Sequence, residues 1–233
     1  MSVVAPLGIA PPDGATRLIP IIGDPIAQVK SPAGMTAALH ARGVNAYVMP
    51  LHVDAAAVDA CLDALSRARN VDAVLATVPH KFAAFRHAAT ATPRATLLGA
   101  ANVLRRNPDG TWHADMTDGI AFVAALRGVG CDPAGQRALL VGAGGAGRLT
   151  AGSSDPTGLD IIANATPAGM RAEDPPPVQT AHLSPAMTVG DVITVPEVTK
   201  LLGAARAIGC ATSTGVDMFV AGRDLIVDFV LGR

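Results

Sequence analysis

The chain has 233 residues, a formal net charge of −1, and 50% hydrophobic but only 3% aromatic residues. This length allows one or two domains with an ample core, and the lack of a basic cluster argues against a nucleic-acid partner. No apolar run reaches the roughly 18 residues of a membrane span, and the first residues do not form a signal peptide. We expect a cytoplasmic monomer or homodimer without nucleic-acid or membrane partners.

The cysteines and histidines do not form a recognisable metal or disulfide pattern. Cys61, Cys131 and Cys210 are odd in number, widely spaced and surrounded by apolar residues. This usage is typical of buried thiols in a reducing compartment. The six histidines lack ligand spacing, so we predict no metal site.

The first half of the chain alternates strand and helix patterns. Strands are predicted at 18–22, 46–53 and 71–78, and helices after Ser31-Pro32 and over 55–68. Ser31 is predicted to be an N-cap, with Pro32 at the first helical position. Two further strands, 102–106 and 111–115, form a hairpin around a Pro-Asp-Gly turn. Such alternation predicts an α/β fold with an open, largely parallel sheet.

The second half is organised around an apolar run, 138–141, that leads directly into glycines. A run of this kind predicts a strand buried on both faces. Gly142, Gly144 and Gly147 then match G-x-G-x-x-G, the turn that brings a dinucleotide pyrophosphate to a helix N-terminus. The alternative is a plain strand-to-helix turn. Helices are predicted at 120–126, 199–207 and 217–231.

The segment after the glycines is unusually short. Residues 148–158 contain two glycines, two serines and a proline, and another buried strand is predicted at 159–165. Parallel neighbours need a crossover of about a dozen residues or more, usually helical, and the acidic residue expected about 20 positions after the loop has no place. Either roughly 50 or more residues are missing between Arg148 and Asp160, with a chain break near 147–151, or half of a nucleotide domain is deleted.

Seven sequence blocks resemble, in order, those of the shikimate/quinate dehydrogenase family. They are Gly23-Asp-Pro-Ile-Ala with Ser31-Pro32, Thr77-Val-Pro-His-Lys81, Gly99-Ala-Ala-Asn102, Thr117-Asp-Gly119, Gly142-Ala-Gly-Gly-Ala146, Asn164-Ala-Thr-Pro-Ala-Gly-Met170 and Pro196-x-x-Thr199-x-Leu-Leu202. The resemblance implies an N-terminal substrate domain (1–118), an incomplete Rossmann-type domain (119–214), and a closing helix (215–233) that packs back on the first domain. It also implies NADP or NAD as cofactor and a small-molecule substrate.

The resemblance implies that Lys81 and Asp118 form the catalytic pair. Oxidation of a secondary alcohol needs a positioned acid/base group at the oxygen while a hydride leaves the carbon. A lysine can serve when burial lowers its pKa, with an aspartate to orient it. Two alternatives remain from the residues alone: Lys81 as a solvated lysine at a helix start, and Asp118 as an ordinary N-cap.

The family's ligand positions are kept unevenly. Ser31, Thr77, Asn102 and Thr117 match residues that bind ring hydroxyls and the carboxylate. Val29 replaces a serine and Thr194 a tyrosine at the carboxylate end of the pocket; further departures are Leu75, Met116 and Gly222. The implied cofactor-binding residues are Gly142, Ala143, Gly144, Gly145, Ala146, Asn164, Thr166, Pro167 and Gly215.

Two functions of different classes follow. The first is an oxidoreductase that moves a hydride between NAD(P) and a hydroxylated alicyclic carboxylate, like shikimate or quinate, or a related polyol, with an altered pocket. The second is a non-catalytic ligand-binding or regulatory protein of the same family, because the nucleotide half is short.

Overall fold

The computed structural model describes residues 11–27, 29–142 and 154–233. The chain forms two compact units. The first runs up to Thr117 and includes Arg223–Arg233, and the second is Asp118–Gly222. One boundary therefore falls within the last helix, not at its start.

The first unit is a six-stranded mixed sheet with helices. Its strands are β1 (Arg17–Gly23), β2 (Ala46–His52), β3 (Ala73–Ala76), β4 (Thr90–Ala91), β5 (Val103–Arg106) and β6 (Trp112–Asp115), in the order β2-β1-β3-β5-β6-β4. Its helices are α1 (Ser31–Ala41), α2 (Val58–Arg67), α3 (Lys81–His87) and α4 (Pro93–Leu98). β1 is parallel to β2 and β3, whereas β5 is antiparallel to β3 and β6.

Both faces of this sheet are buried. Successive strand residues point to opposite faces, so Ile22 and Val74 face one core, with Leu62 of α2, and Ile19 and Leu75 face the other. The second core also receives Met35 and Leu39 from α1 and Val227 from the last helix. Burial on both faces accounts for the continuous apolar runs that predicted these strands.

The predicted elements exist, with shifted ends. The hairpin is confirmed, but β3 is shorter than 71–78 and α2 begins at Val58. The N-cap prediction for Ser31 is wrong, because Ser31 is already the first helical residue, after Lys30, and no side chain caps the helix. A serine in that position already has helical backbone, so its hydroxyl is not placed to cap the next turn. The sequence interpretation missed β4 and α4.

The second unit is a four-stranded, all-parallel sheet. Its strands are β7 (Ala138–Val141), β8 (Ile161–Asn164), β9 (Thr188–Asp191) and β10 (Ala211–Ser213), in the order β10-β9-β8-β7. Its helices are α5 (Asp118–Gly128), α6 (Lys200–Ile208) and the first part of α7 (Gly215–Val230), and a 3₁₀ turn covers Thr180–His182. One core lies under α6 and a smaller one joins α5 to Ile161.

The strand before the glycine loop is less buried than predicted. β7 matches the predicted 138–141, but Ala138 is exposed and Leu140 is 61% exposed. Among the described residues β7 pairs only with β8, so the prediction of a strand buried on both faces is wrong. The physical reason is that β7 is the outermost described strand. The predicted chain break at 147–151 lies outside the described residues.

Two smaller predictions concern composition. Cys61, Cys131 and Cys210 are free thiols; Cys131 and Cys210 are buried as predicted, whereas Cys61 is only half-buried. Desolvation raises the pKa of Cys61 and Cys210. Within the described ranges, no group of three or more His, Cys, Asp or Glu side chains could hold a metal ion. No helix in that part of the chain is long and apolar enough to cross a bilayer.

Candidate active site

Two turns meet at the carboxyl end of β1 and β3. A side chain at Gly23 would place its Cβ 2.5 Å from Thr77 Cγ2, so only glycine allows this approach. The Thr77 N–H donates to the Ile22 carbonyl (3.0 Å) and the Asp24 N–H to the Val78 carbonyl (3.0 Å). These bonds fix Thr77, a predicted substrate ligand, at the rim of the sheet.

Lys81 is the first residue of α3, five positions after the end of β3 at Ala76. Its carbonyl accepts from the Ala101 N–H at 2.9 Å, and the ring of the preceding His80, only 2% exposed, lies 2.6 Å from the Val53 carbonyl through Nε2. Lys81 itself is half-buried. Its backbone is therefore held from two directions, as a positioned acid/base group requires, although it also begins a helix, as the alternative stated.

Asn102 and Thr117 form two reciprocal hydrogen bonds. The Thr117 N–H donates to Asn102 Oδ1 at 3.0 Å, and Asn102 Nδ2 donates to Thr117 Oγ1 at 2.9 Å. Both residues are buried, at 6% and 1% exposure. This reciprocal pair aligns the end of β6 beside the start of β5. Asp118 follows directly as the first residue of α5, where a carboxylate is also favoured by the helix dipole.

A buried carboxylate that sequence reasoning missed supports this pair. Asp115, with a fully buried side chain, accepts from Arg94 through Nε (2.7 Å) and Nη2, from the Thr92 hydroxyl (2.6 Å) and from the Met116 N–H (2.7 Å). Burial opposes its ionisation, but these donors, Arg94 first, outweigh burial and lower the Asp115 pKa. Asp115 thus ties α4, which leads to Asn102, to the strand that leads to Thr117. Its polarity at the end of an apolar strand was the available signal.

The remaining first-unit positions lie near the start of α1. Val29 is half-buried and packs against the core shared by α1 and α7, whereas Lys30 is exposed. Ser31 is half-buried. The first unit thus has an apolar side chain at Val29, where the family resemblance implies a polar carboxylate ligand.

Asn164 organises the carboxyl edge of the second unit. Its Oδ1 accepts from the Thr166 N–H (3.1 Å) and hydroxyl (2.6 Å), and its Nδ2 donates to the Asp191 carboxylate (3.1 Å) and the Ala168 carbonyl (3.2 Å). Asp191 also accepts from the Ile193 N–H and the Thr199 hydroxyl. Desolvation outweighs these donors and raises the Asp191 pKa. The cluster therefore shapes the edge where the resemblance places the cofactor.

Two glycines permit close approach at the same edge. Gly142 has φ +100°, and a Cβ there would lie 2.7 Å from Thr166 Cγ2. A Cβ at Gly215 would lie 2.4 Å from the Ile193 carbonyl oxygen. Thr194 lies half-buried in the loop after β9. Of the other predicted cofactor residues, Pro167 lies beside Thr166, and Ala143, Gly144, Gly145 and Ala146 lie outside the described residues.

Known proteins resemble this chain over most of its length. Residues 21–104 match a family model described as "Shikimate dehydrogenase substrate binding domain". A shikimate dehydrogenase (NADP(+)) of Acidiphilium cryptum is 31% identical over 243 positions, which cover 89% of this chain and 87% of that protein. Because 89% of 233 residues is about 207, about 36 alignment positions have no residue in this chain.

Two solved structures share the whole fold. A 5-ketofructose reductase of Gluconobacter sp. strain CHM43 is 27% identical with a TM-score of 0.81, covering 94% of each chain. A shikimate 5-dehydrogenase of Thermus thermophilus, in complex with NADP(H) and shikimate, is 25% identical with a TM-score of 0.82, again covering 94% of each. With a relative above 30% identity that is matched over most of its length, the chain belongs to the shikimate dehydrogenase family.

Proposed function

We propose that the protein is an oxidoreductase that moves a hydride between NADP or NAD and a secondary alcohol carbon of a hydroxylated alicyclic carboxylate or a related polyol. The observation that carries this proposal is the first-unit edge, where Thr77, Lys81 and the Asn102–Thr117 pair are fixed by backbone and side-chain bonds. A drifting, inactive relative has no chemical reason to keep this arrangement.

The proposed roles follow from side-chain chemistry. Lys81 takes the proton from the substrate hydroxyl during oxidation and returns it during reduction, with Asp118 as the second proton-handling group. Thr77 offers a hydroxyl to the substrate, and the Asn102–Thr117 pair presents polar groups in a fixed orientation. The bound nicotinamide would accept or supply the hydride.

The second-unit edge fits the nicotinamide side of such a cofactor. Gly142 and Gly215 each occupy a position where a Cβ would collide with neighbouring atoms, so the backbone approaches closely at the carboxyl ends of β7 and β9. The Asn164 cluster gives this edge a fixed shape. These residues would hold the nicotinamide half.

The residues at two predicted carboxylate-binding positions bear on which substrates the pocket would accept. Val29 and Thr194 stand where the family resemblance implies a serine and a tyrosine for the carboxylate. Each polar ligand group left without a partner costs about 1–3 kcal/mol, so shikimate and quinate should bind weakly. One of the similar structures is a 5-ketofructose reductase, which makes a keto sugar a sensible test substrate.

One observation favours a non-catalytic role as the second candidate. Only 19 residues, 142–160, connect β7 to β8, which is short for a complete nucleotide domain. A protein that binds a substrate-like ligand without cofactor chemistry would fit this short connection.

A thermal-shift screen with turnover assays separates the two candidates. The ligands are NADP and NAD with the alcohols shikimate and quinate, and NADPH and NADH with the ketone 5-ketofructose, each tested on the wild type and on Lys81→Ala. The dehydrogenase proposal expects stabilisation by a nicotinamide cofactor in both proteins and turnover only in the wild type. Stabilisation by a substrate-like ligand alone, with no response to either cofactor, would favour the non-catalytic candidate.

A further inference from the structure

We propose that this chain recognises only the nicotinamide mononucleotide half of NADP or NAD and does not read the adenosine half or its 2′-phosphate. The inference rests on the proposed function, because it concerns the same cofactor. If so, reduced nicotinamide mononucleotide and NADPH bind with similar dissociation constants.

The strand order of the second unit carries the first step. A dinucleotide-binding sheet combines two mononucleotide halves in the order 3-2-1-4-5-6, with the glycine loop after strand 1. Here the strand that leads into the glycines is β7, and β8, β9 and β10 follow in order beside it. These four strands correspond to 1-4-5-6. Among the described residues no strand pairs with the other edge of β7, where the adenosine half would need strands 2 and 3.

The length of the β7–β8 connection carries the second step. Residues 154–160 contain no strand and form only an isolated bridge between Ser154 and Val178. The rest of the connection, after Gly142, is 11 residues, 143–153. A single βαβ unit takes about 30 residues or more, and the whole connection of 19 residues, 142–160, is shorter than one such unit.

The charged residues of the connection carry the third step. Reading the adenosine ribose takes an acidic residue for the 2′-hydroxyl or an arginine for the 2′-phosphate. The two acids available are Asp155 and Asp160. Asp155 Oδ1 already accepts from Thr157 through the N–H (2.9 Å) and the hydroxyl (2.6 Å) and lies 2.9 Å from His182 Nδ1.

Asp160 is also engaged elsewhere. It directly precedes β8 and accepts from the Arg137 N–H at 2.8 Å, at the amino end of the strands and away from the carboxyl edge where nucleotides bind. The one cation in the connection is Arg148, outside the described residues. By contrast, the proposed nicotinamide-binding positions of the second unit are all present; they are Gly142, Asn164, Thr166 and Gly215.

The experiment compares the two halves of the cofactor as separate ligands. Dissociation constants of the full chain are measured for NADPH, NADH and reduced nicotinamide mononucleotide from dihydronicotinamide fluorescence. Adenosine 2′,5′-bisphosphate is added as a competitor. We expect the three constants to agree within about threefold and the bisphosphate not to compete. We expect Arg148→Gln to leave all three dissociation constants unchanged.

Each other result has a defined meaning. NADPH binding more than about tenfold tighter than the mononucleotide, competition by the bisphosphate, or a loss confined to NADPH in Arg148→Gln would overturn the inference and leave the proposed dehydrogenase intact. Absence of binding by all three reduced nicotinamides, in protein with native circular dichroism, would overturn both. Gly142→Ala should weaken all three ligands equally, and selective weakening of NADPH alone would also contradict the inference.

Discussion

The strands that lead into the two proposed functional turns differ in burial. In the first, β3 lies between β1 and β5 and is buried at every position. In the second, β7 is the outermost described strand and exposes Leu140. Both strands lead into proposed functional turns, at Thr77 and at Gly142. The first unit therefore encloses the strand that leads to its proposed site, whereas among the described residues the second unit leaves the corresponding strand at the edge of its sheet.

The buried carboxylates of the two units have pKa values shifted in opposite directions. Asp115 is paired with Arg94, and its donors lower its pKa despite burial. Asp191 has neutral donors, and burial raises its pKa. Removing one member of a buried ion pair is destabilising, because it leaves the other charge buried without a partner. A buried carboxylate with no cation beside it is costly to ionise. The first unit should therefore depend on its carboxylate and the second should tolerate neutralisation.

The largest expected effect is on catalysis in the first unit. Lys81→Ala should reduce turnover by about 10² to 10⁴-fold, the usual contribution of a positioned acid/base group. Nucleotide binding should stay unchanged, because the cofactor residues lie in the second unit. Steady-state kinetics with cofactor titration measures both quantities. Lys200→Ala is the matched control, since Lys200 is exposed and its Nζ donates to the Asp174 carbonyl at 3.1 Å. A Lys81→Ala rate near that of Lys200→Ala would end the acid/base assignment.

The next effect is on the stability of the first unit. Asp115→Asn should cost about 2–4 kcal/mol of unfolding free energy, because it breaks a largely buried pair whose arginine can partly turn to water. Trp112, the single tryptophan and 2% exposed, reports this unit in urea titrations. Asp59→Asn is the control, because its 4.0 Å pair with Arg86 is exposed and should be worth about 0–1 kcal/mol. Equal costs for the two variants would contradict the assignment.

The pH dependence of Asp115 has a definite sign. Its pKa is lower in the folded state, so its stabilisation is complete above the unfolded pKa and is lost as pH falls through the folded pKa. Acid should therefore shift the Trp112 transition to lower urea in the wild type, and less in Asp115→Asn. An identical acid shift in both proteins would show that other carboxylates dominate.

A smaller effect is expected on substrate choice. Val29→Ser with Thr194→Tyr should raise shikimate or quinate turnover by about tenfold for each recovered hydrogen bond, because the two changes restore the carboxylate ligands implied by the family. The matched assay uses 5-ketofructose, whose turnover should not rise. No gain on either carboxylate would indicate that the pocket is shaped for another ligand.

The smallest effect is expected at the second-unit carboxylate. Asp191→Asn should change stability at neutral pH by less than about 1 kcal/mol, because an amide keeps an acceptor for Asn164 and Ile193 and removes a buried charge. Since the Asp191 pKa is raised in the folded state, the wild type should gain stability from this group as pH falls from neutral towards the ordinary aspartate range. Hydrogen exchange of the β8 and β9 amides measures the local stability. A large loss of stability in Asp191→Asn at neutral pH would contradict the contrast drawn between Asp115 and Asp191.

The sequence predicted elements where local pattern and burial agree. Strand 138–141 and the hairpin were predicted closely because their apolar runs end at glycine or turn residues. β9 was missed because Thr188–Asp191 contains Gly190, a residue that disfavours strands; the structure uses it to admit Phe122 of α5, whose Cζ would lie 2.5 Å from a Cβ there. The Arg94–Asp115 pair was missed because it joins positions across a helix and a strand, which periodicity does not connect.

The proposed oxidoreductase function is tested most directly by measuring hydride transfer. Reduced nicotinamide fluorescence is followed after mixing the wild type or Lys81→Ala with NADP or nicotinamide mononucleotide and, separately, shikimate, quinate and the alcohol form of 5-ketofructose. We expect the wild type to reduce both nicotinamides at comparable rates with at least one substrate, and Lys81→Ala to reduce neither. A wild type that binds reduced nicotinamide but transfers no hydride with any of these substrates would contradict the proposed function.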